Sequence, residues 1–340
     1  VRTDDFDYDL PDESIAQQPA EPRDSSRLMI LDRSGGDLRH VVFNQLPEYL
    51  DPGDALVINE TRVIPARLVG RKVPSGGKVE LLLLRRLEPQ VWEVLIGGRG
   101  VKVGSRLAVD GGPEAQIIEE MSGPRRVVRF GQPISELLEQ IGEMPLPPYI
   151  HEPLAHPEAY QTVYAAIPGS AAAPTAGLHF TPELLERLED AGVRLVKVVL
   201  HVGLDTFQPV TESDPADHVI HSEWCHVSSQ AAQLVNQARA AGRRVVAVGT
   251  TTTRTLETAA GAVTQGQVLG AYEGATDLYI LPGYRFKVVD AMVTNFHLPR
   301  STLLMMVSAF AGRERILAAY ETAKRMGYRF YSFGDAMLIL

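Results

Sequence analysis

From Thr61 to Phe130 the chain reads TRVIPARLVGRKVPSGGKVELLLLRRLEPQVWEVLIGGRGVKVGSRLAVDGGPEAQIIEEMSGPRRVVRF. Ala66–Val73, Lys78–Leu87, Val91–Ile96, Arg106–Val109, Glu114–Met121 and Arg125–Phe130 are short runs, many rich in Val, Leu or Ile, and Gly, Pro or Ser stand between most of them. Strands spaced about 8–12 residues apart, with no helical pattern between them, predict a small barrel or sandwich. A helical segment, Pro133–Ile141, closes this stretch, and Pro145-Leu146-Pro147-Pro148 forms a stiff boundary, because clustered prolines continue neither a helix nor a central strand.

Working outward, the texture changes on both sides. Upstream, Arg27–Arg33 (RLMILDR) runs into the turn Ser34-Gly35-Gly36, and Asp51-Pro52-Gly53-Asp54 leads into ALVIN, Ala55–Asn59, a buried-strand pattern. Downstream, helices and strands alternate. Thr181-Pro182-Glu183 is a helix start with a Thr cap, Pro at the first helical position and an acid near the positive helix end. That helix ends at Gly192 and is followed by a strand over Val193–His201. A helix over Ser228–Ala241, a strand over Val245–Val248, a helix over Arg313–Met326 and a strand over Tyr328–Ser332 complete the pattern. The fold class predicted is α/β: a discontinuous α/β domain with a largely parallel sheet, residues 1–60 and 150–340, plus an inserted small β-barrel domain, residues 61–149.

Composition sets the outer limits. Of 340 residues, 45% are apolar and 22% charged, close to soluble globular averages, which excludes global disorder, collagen and coiled coil. Cys225 stands alone, so no intrachain disulfide forms and a reducing, cytoplasmic setting is expected. The acidic start VRTDDFDYDLPDE lacks the pattern of a signal peptide, and no run approaches ~18 apolar residues, so no membrane span is expected. The net charge of −9 argues against a nucleic-acid binder as a whole, yet Arg62–Arg106 carries ten Lys/Arg against three Glu. A basic module in an acidic body is a candidate polyanion site.

Polar residues cluster in five segments. GSAAAPTAGLHFT (Gly169–Thr181) is dense in small residues that let a ligand approach the backbone, with His179 and Phe180 just before a helix start. LHVGLDTFQPV (Leu200–Val210) sets His201 and Asp205 at a strand end, where open α/β sheets bind ligands. VAVGTTTTRTLE (Val246–Glu257) is a strand, a Gly, four Thr and Arg254 before a helix, suited to a phosphate, carboxylate or ribose. Asp290, Asn295, His297, Arg300 and Ser301 fall in Thr276–Ser308, where Ser301 is placed to cap a helix. HVIHSEWCH (His218–His226) joins three His to Glu223 and Cys225; it offers zinc-type ligands, but without H-E-x-x-H order or a C-x-x-C partner. No G-x-G-x-x-G follows a strand, and no P-loop or G-x-S-x-G elbow is present.

Taken together, these segments resemble one family. FDYDLPDESIAQQPAEPRDSSRLMILDR from Phe6, NETRVIPARL from Asn59, MPLPPYI from Met144, YQTVYA from Tyr160, APTAGLHFT from Ala173, LHVGLDTFQPV, HVIHSEWCHV, VGTTTTRTLE, PGYRFKVVDAMVTNFHLPRSTLLMMVSAFAG and YRFYSFGDAMLI are similar, in order and over nearly the whole chain, to the S-adenosylmethionine:tRNA ribosyltransferase-isomerases of queuosine biosynthesis. The resemblance implies an α/β domain made from both chain ends with an inserted β-barrel. It implies transfer and isomerisation of the ribosyl part of S-adenosylmethionine onto 7-aminomethyl-7-deazaguanine at the tRNA wobble position, giving epoxyqueuosine-tRNA with release of adenine and methionine. S-adenosylmethionine is then a co-substrate, and no metal or other cofactor is implied. Partners are the tRNA and S-adenosylmethionine, with no membrane, and a monomeric chain is expected. Asp205 stands where Gly is expected, and Thr252-Thr253 where Ser-Val is expected.

That reaction needs a base, an acid for the leaving adenine and a dry site. Histidine suits the proton transfers because its ordinary pKa lies near neutrality. His179, His201, His221 and His297 form the catalytic pool, with Asp290 orienting a histidine or facing the sulfonium. Arg254 is matched to the methionine carboxylate, and Thr175, Gly177, Phe180, Thr250, Thr251, Asn295 and Ser301 to other substrate contacts. Arg62, Arg67, Arg71, Lys72 and Lys78 lead the candidate tRNA contacts. Two other classes stay open on the residues: a metal-dependent hydrolase using His218, His221, Cys225 and His226, and a non-catalytic tRNA-binding module using only the basic insert.

Overall fold

The computed structural model describes residues 1–154, 156–203, 209–263 and 267–340. Two units emerge, one of Val1–Thr61, Pro148–Ile167 and Pro174–Leu340, the other of Arg62–Pro147 and Pro168–Ala173. In chain order the first contributes β1 (Arg27–Leu31), β2 (Arg39–Val42) and β3 (Ala55–Asn59). Then come β4 (Thr61–Val63), β5 (Arg67–Val73), β6 (Lys78–Glu88), β7 (Val91–Gly97), β8 (Arg106–Val109), β9 (Glu114–Glu120), β10 (Arg125–Phe130), α1 (Leu138–Ile141) and β11 (Gly142–Glu143). After β12 (Ile167–Ser170) follow α2 (Pro182–Asp190), β13 (Arg194–Leu200), β14 (Glu223–Val227), α3 (Ser229–Ala240), β15 (Val245–Val248) and α4 (Gly249–Gly261). The chain ends with β16 (Tyr272–Thr276), β17 (Ala291–Asn295), α5 (Thr302–Ala311), α6 (Arg313–Arg325) and β18 (Ala336–Ile339).

In the smaller unit, β5, β6, β7, β10, β9 and β8 follow one another around a closed antiparallel barrel, sealed by pairing of β5 with β8. Side chains alternate as the pleat requires: in β9, Glu114 and Gln116 face out while Ala115 and Ile117 are buried. Leu68, Leu81, Val94, Leu107, Ile117, Val128 and Phe130 fill the interior. At the closing seam only Gly fits at position 70, because a Cβ there would lie 2.6 Å from the Ala108 carbonyl oxygen. The expected helix over Pro133–Ile141 shortens to α1. Pro168–Ala173 joins this unit because β12 pairs with β4.

The larger unit carries a nine-stranded sheet in the order β16-β14-β13-β3-β15-β17-β18-β1-β2. Its centre, β13-β3-β15-β17, is parallel, as the helix–strand alternation predicts. Both flanks bring in antiparallel pairs: β14 with β13 and β16 on one side, β18 with β17 and β2 with β1 on the other. The sheet is therefore mixed. Alternate residues of the apolar run Ala55–Ile58 in β3 serve two cores. Ala55 and Val57 pack with Val196, Val198, Ala247 and Met292, and Leu56 and Ile58 with Val246, Val248, Leu184 and Leu338. Thr181 caps α2 at Leu184 N (3.2 Å), Ser228 caps α3 at Ala231 N (3.1 Å) and Ser301 caps α5 at Leu304 N (3.1 Å). The expected strand Tyr328–Ser332 is not one. Phe330 makes only an isolated bridge to Ile15, and the strand is Ala336–Ile339, inserted between β17 and β1. No described helix is long and apolar enough to cross a membrane.

Candidate active site

The four parallel central strands end on one edge of the sheet, so Asn59, His201, Gly249 and Asn295 sit in a row there. β18 runs the other way and β1 parallels it, which brings Asp335 and Ser26 to the same edge. This is the end at which open α/β sheets bind ligands. An open cleft lies there, lined by Tyr149, Thr175, Asn295, His297, Ser301 and Tyr331 among others.

His179 is buried in the turn Thr175–His179, stacked on Phe43 with 4.9 Å between ring centroids. Asn295 orders this corner. Its Nδ2 donates to the Tyr331 carbonyl (3.1 Å) and lies 3.2 Å from His179 Nε2, while its Oδ1 accepts from Thr175 Oγ1 (3.2 Å). The Tyr331 oxygen can only accept, so Nδ2 faces His179, and Nε2 of that ring is the acceptor. His179 Nδ1–H then donates to Ser26 Oγ at 2.7 Å. Both ring nitrogens are engaged inside the protein, and burial pushes the imidazole down to about 4.

His297 has its Nε2 2.7 Å from Thr294 Oγ1. Its backbone N–H donates to Tyr320 Oη (2.9 Å), and its carbonyl accepts from the Tyr8 hydroxyl. Burial lowers its pKa to about 3. His201 is half-buried. Thr61 Oγ1 lies 2.8 Å from its Nδ1, the Trp224 indole stacks on its ring at 5.1 Å, and burial lowers it to about 4. All three rings are neutral at pH 7. β13 and β17 are three strand spacings apart, so His201 and His297 are separated by roughly 14 Å along the edge.

The remaining candidates separate clearly. Thr175, Asn295 and Ser301 line the cleft beside His297. Thr250 and Thr251 begin α4, with Thr251 Oγ1 3.4 Å from Asn59 Nδ2, whereas the Thr252 and Thr253 hydroxyls turn back to the Val248 and Gly249 carbonyls. Phe180 is fully buried against Phe43 and Tyr164 and offers no ligand surface. Gly177 is buried too. A Cβ there would fall 2.1 Å from Tyr164 Oη, so the position is closed by packing. His221 is exposed, on the connection that enters β14 at the same edge. Asp205 lies outside the described residues.

Two expected roles are corrected. Asp290 precedes β17, so it lies at the opposite end of that strand from Asn295. Its carboxylate accepts from Val245 N (2.8 Å) and pairs with Arg239, and no imidazole contacts it. Arg254 is not presented to a ligand carboxylate. It is buried, forms an ion pair with Glu223 and donates to the Leu278 (3.1 Å) and Thr276 (3.4 Å) carbonyls. The zinc-type set also fails to converge. Cys225 and Glu223 face inward on β14 and His226 outward, and His218 bonds Glu212 at 3.0 Å. The described residues hold no group of three His, Cys, Asp or Glu suited to a metal ion.

On the barrel, Arg71 and Lys78 are exposed, while Arg62, Arg67 and Lys72 are half-buried. Lys78 pairs with Glu80 (3.2 Å) and Lys72 Nζ donates to the Arg99 carbonyl (2.7 Å).

The profile of the family described as Queuosine biosynthesis protein matches residues 3–339. The chain belongs to the queuosine biosynthesis protein family. Among curated members, the S-adenosylmethionine:tRNA ribosyltransferase-isomerase of Moorella thermoacetica is 56% identical over 345 residues, and that of Desulfitobacterium hafniense 54% over 344, each alignment covering all of both chains. A crystal structure of S-adenosylmethionine tRNA ribosyltransferase from Thermotoga maritima is similar with a TM-score of 0.58 and 42% identity, over 99% of this chain and all of that one.

Several residues that shape this family member's site escaped the sequence reading. Ser26 precedes the expected strand Arg27–Arg33, Asn59 ends the expected strand Ala55–Asn59 and Thr61 lies just beyond it; all three fall in stretches that carry the family resemblance, but none is given a site role from the sequence. Trp224 lies in HVIHSEWCH, a segment weighed for zinc-type ligands, where the indole draws no notice. The Trp and Val of EWCHV, Glu223–Val227, residue types favoured in strands, were the available signal for β14.

Proposed function

We propose that this chain is an S-adenosylmethionine:tRNA ribosyltransferase-isomerase. It transfers and isomerises the ribosyl moiety of S-adenosylmethionine onto 7-aminomethyl-7-deazaguanine at the tRNA wobble position, yielding epoxyqueuosine-tRNA, adenine and methionine. The observation that carries this is identity of 54–56% over the full length of two relatives of that name. Neutral imidazoles and amides along one strand edge support it.

The positive sulfur acidifies hydrogens on the adjacent ribose 5′-carbon. A base removes one, the resulting carbanion opens the ribose and adenine departs with a proton. The aminomethyl nitrogen then attacks the sugar, and epoxide closure expels methionine. His201 and His297 are the proton-transfer candidates, since each keeps a ring nitrogen without an internal partner among the described residues. His179 serves by holding Asn295, which with Thr175 and Ser301 faces the cleft. No other cofactor enters. Arg62, Arg67, Arg71, Lys72 and Lys78 attract tRNA phosphates, and the protein acts as a cytoplasmic monomer.

The test is to mix protein, S-adenosylmethionine and tRNA carrying the aminomethyl base. Adenine and methionine appear in equal amounts as the tRNA gains mass. Formation of S-adenosylhomocysteine with a methylated tRNA, or no change in either substrate, rejects the proposal.

A further inference from the structure

Two imidazoles at the strand edge keep one nitrogen unpartnered among the described residues: His201 Nε2 and His297 Nδ1. A histidine side chain turns about two bonds, and a ring flip exchanges Nδ1 with Cδ2 and Nε2 with Cε1. Productive proton transfer therefore requires both the flip and the tilt of the ring to be fixed. At His297 the two tyrosine hydroxyls hold the backbone on either side, and Thr294 holds the ring.

His201 is held differently. Its amide donates to the Trp224 carbonyl (3.0 Å), so the two residues face each other across β13 and β14 with side chains on the same face. The indole lies on the imidazole with ring planes 22° apart, and its own position is buttressed by His226 at 6.1 Å and 15°. Thr61 Oγ1 sits 2.8 Å from Nδ1, and the Thr61 amide is itself anchored by Asn59 Oδ1 at 3.1 Å. The hydroxyl thus selects the flip and the indole selects the tilt.

We infer that Trp224 and Thr61 are positioning residues that present His201 Nε2 to the substrate, an inference that rests on the reaction proposed above. When the substrate's 5′-carbon gives up its proton, the electron pair stays on carbon and the proton goes to Nε2. Nδ1–H donates to Thr61 Oγ1 both before and after this step, so the flip is fixed throughout.

The experiment compares Trp224→Ala, Trp224→Phe, Thr61→Val, Thr61→Ser and His226→Ala in adenine release. Trp224→Ala and Thr61→Val are expected to lower kcat about 10- to 100-fold while changing KM for either substrate by less than about threefold. Trp224→Phe and Thr61→Ser should recover activity to within about fivefold, and His226→Ala, which removes the ring behind the indole, should lower kcat by about two- to tenfold. Unchanged kcat in Trp224→Ala and Thr61→Val overturns the inference. So does a raised KM at unchanged kcat, which would make the indole a substrate contact. If Trp224→Ala does not fold, the Thr61→Val and Thr61→Ser pair carries the same test. Nitrogen NMR of the His201 ring is read without turnover. Wild type should show one Nδ1–H tautomer and Thr61→Val a mixture, and an identical tautomer in both overturns the inference even if no adenine is ever released. Absence of adenine from wild type counts against the proposed reaction instead.

Discussion

Replacing Arg254 by Met separates a structural cation from a substrate-binding one. The Arg254 and Glu223 side chains are only 4% and 6% exposed, so neither charge is solvated by water. The guanidinium also satisfies the Leu278 and Thr276 carbonyls, and Glu223 Oε1 accepts from Gly203 N at 2.7 Å. Removing the arginine takes the guanidinium away from a buried carboxylate, which costs about 3–5 kcal/mol. With an unfolding entropy of about 2.1 cal/mol/K per residue over 340 residues, each kcal/mol shifts the melting temperature by roughly 1.4 °C, so it should fall by about 4–7 °C. Neutralising both partners in Glu223→Gln/Arg254→Met keeps an acceptor for Gly203 and removes the buried charge. At least half of the loss should return. Calorimetry and urea titration measure both variants. Were Arg254→Met to melt like wild type with KM for S-adenosylmethionine raised tenfold or more, the guanidinium would be facing the ligand, and the burial argument would be wrong.

Gly177→Ala should destabilise by about 1–3 kcal/mol through overpacking against Tyr164 Oη. That hydroxyl is buried without a partner among the described residues, so Tyr164→Phe alone should be near neutral and should relieve part of the Gly177→Ala loss in urea titrations. Burial holds His179, His201 and His297 at about 4, 4 and 3, below the ordinary value of 6.5. The unfolded chain then binds more protons than the native one between these limits. Stability should therefore be fully present above about pH 6.5 and fall as the pH drops toward 4, with urea midpoints following that slope. Replacing Arg67 and Arg71 together should weaken tRNA binding and shrink the slope of log affinity against log salt by about 1.5 to 2, while an unchanged slope removes both from the RNA contact.

The barrel was legible because its strands pair with near neighbours in sequence, so runs such as RLVGRKV and VWEVLIG, with Gly and Pro between them, carry most of the information. The parallel centre was legible from ALVIN and the capped helices. The flanks were not. YEGAT is the sheet's edge strand and EWCHV the strand beside it, both five residues long and mixed in polarity, and β18 is four residues whose burial comes from strands far away in the chain. At the site, His179, His297 and Asn295 could be singled out as polar residues near strand or helix ends. Their pairing could not, because Ser26, Thr175 and Asn295 meet only through the sheet order. Arg254 and Asp290 misled for one reason: charged residues in motif-like segments read as ligand contacts until their internal partners Glu223 and Arg239 are seen.

The interleaving of β1, β17 and β18 has a kinetic consequence. Arg27 donates to Asp335, 308 positions away, at the place where β1 joins β18. Loops of that length close slowly, and chains dominated by such distant pairings fold slowly. The barrel's hairpins, β5–β6, β6–β7, β8–β9 and β9–β10, need only short closures. Refolding should therefore leave a period in which the barrel is already protected from hydrogen exchange while the edges of β1 and β17 wait uncovered. During that interval a chaperone, or a neighbouring copy, competes with β18 for them.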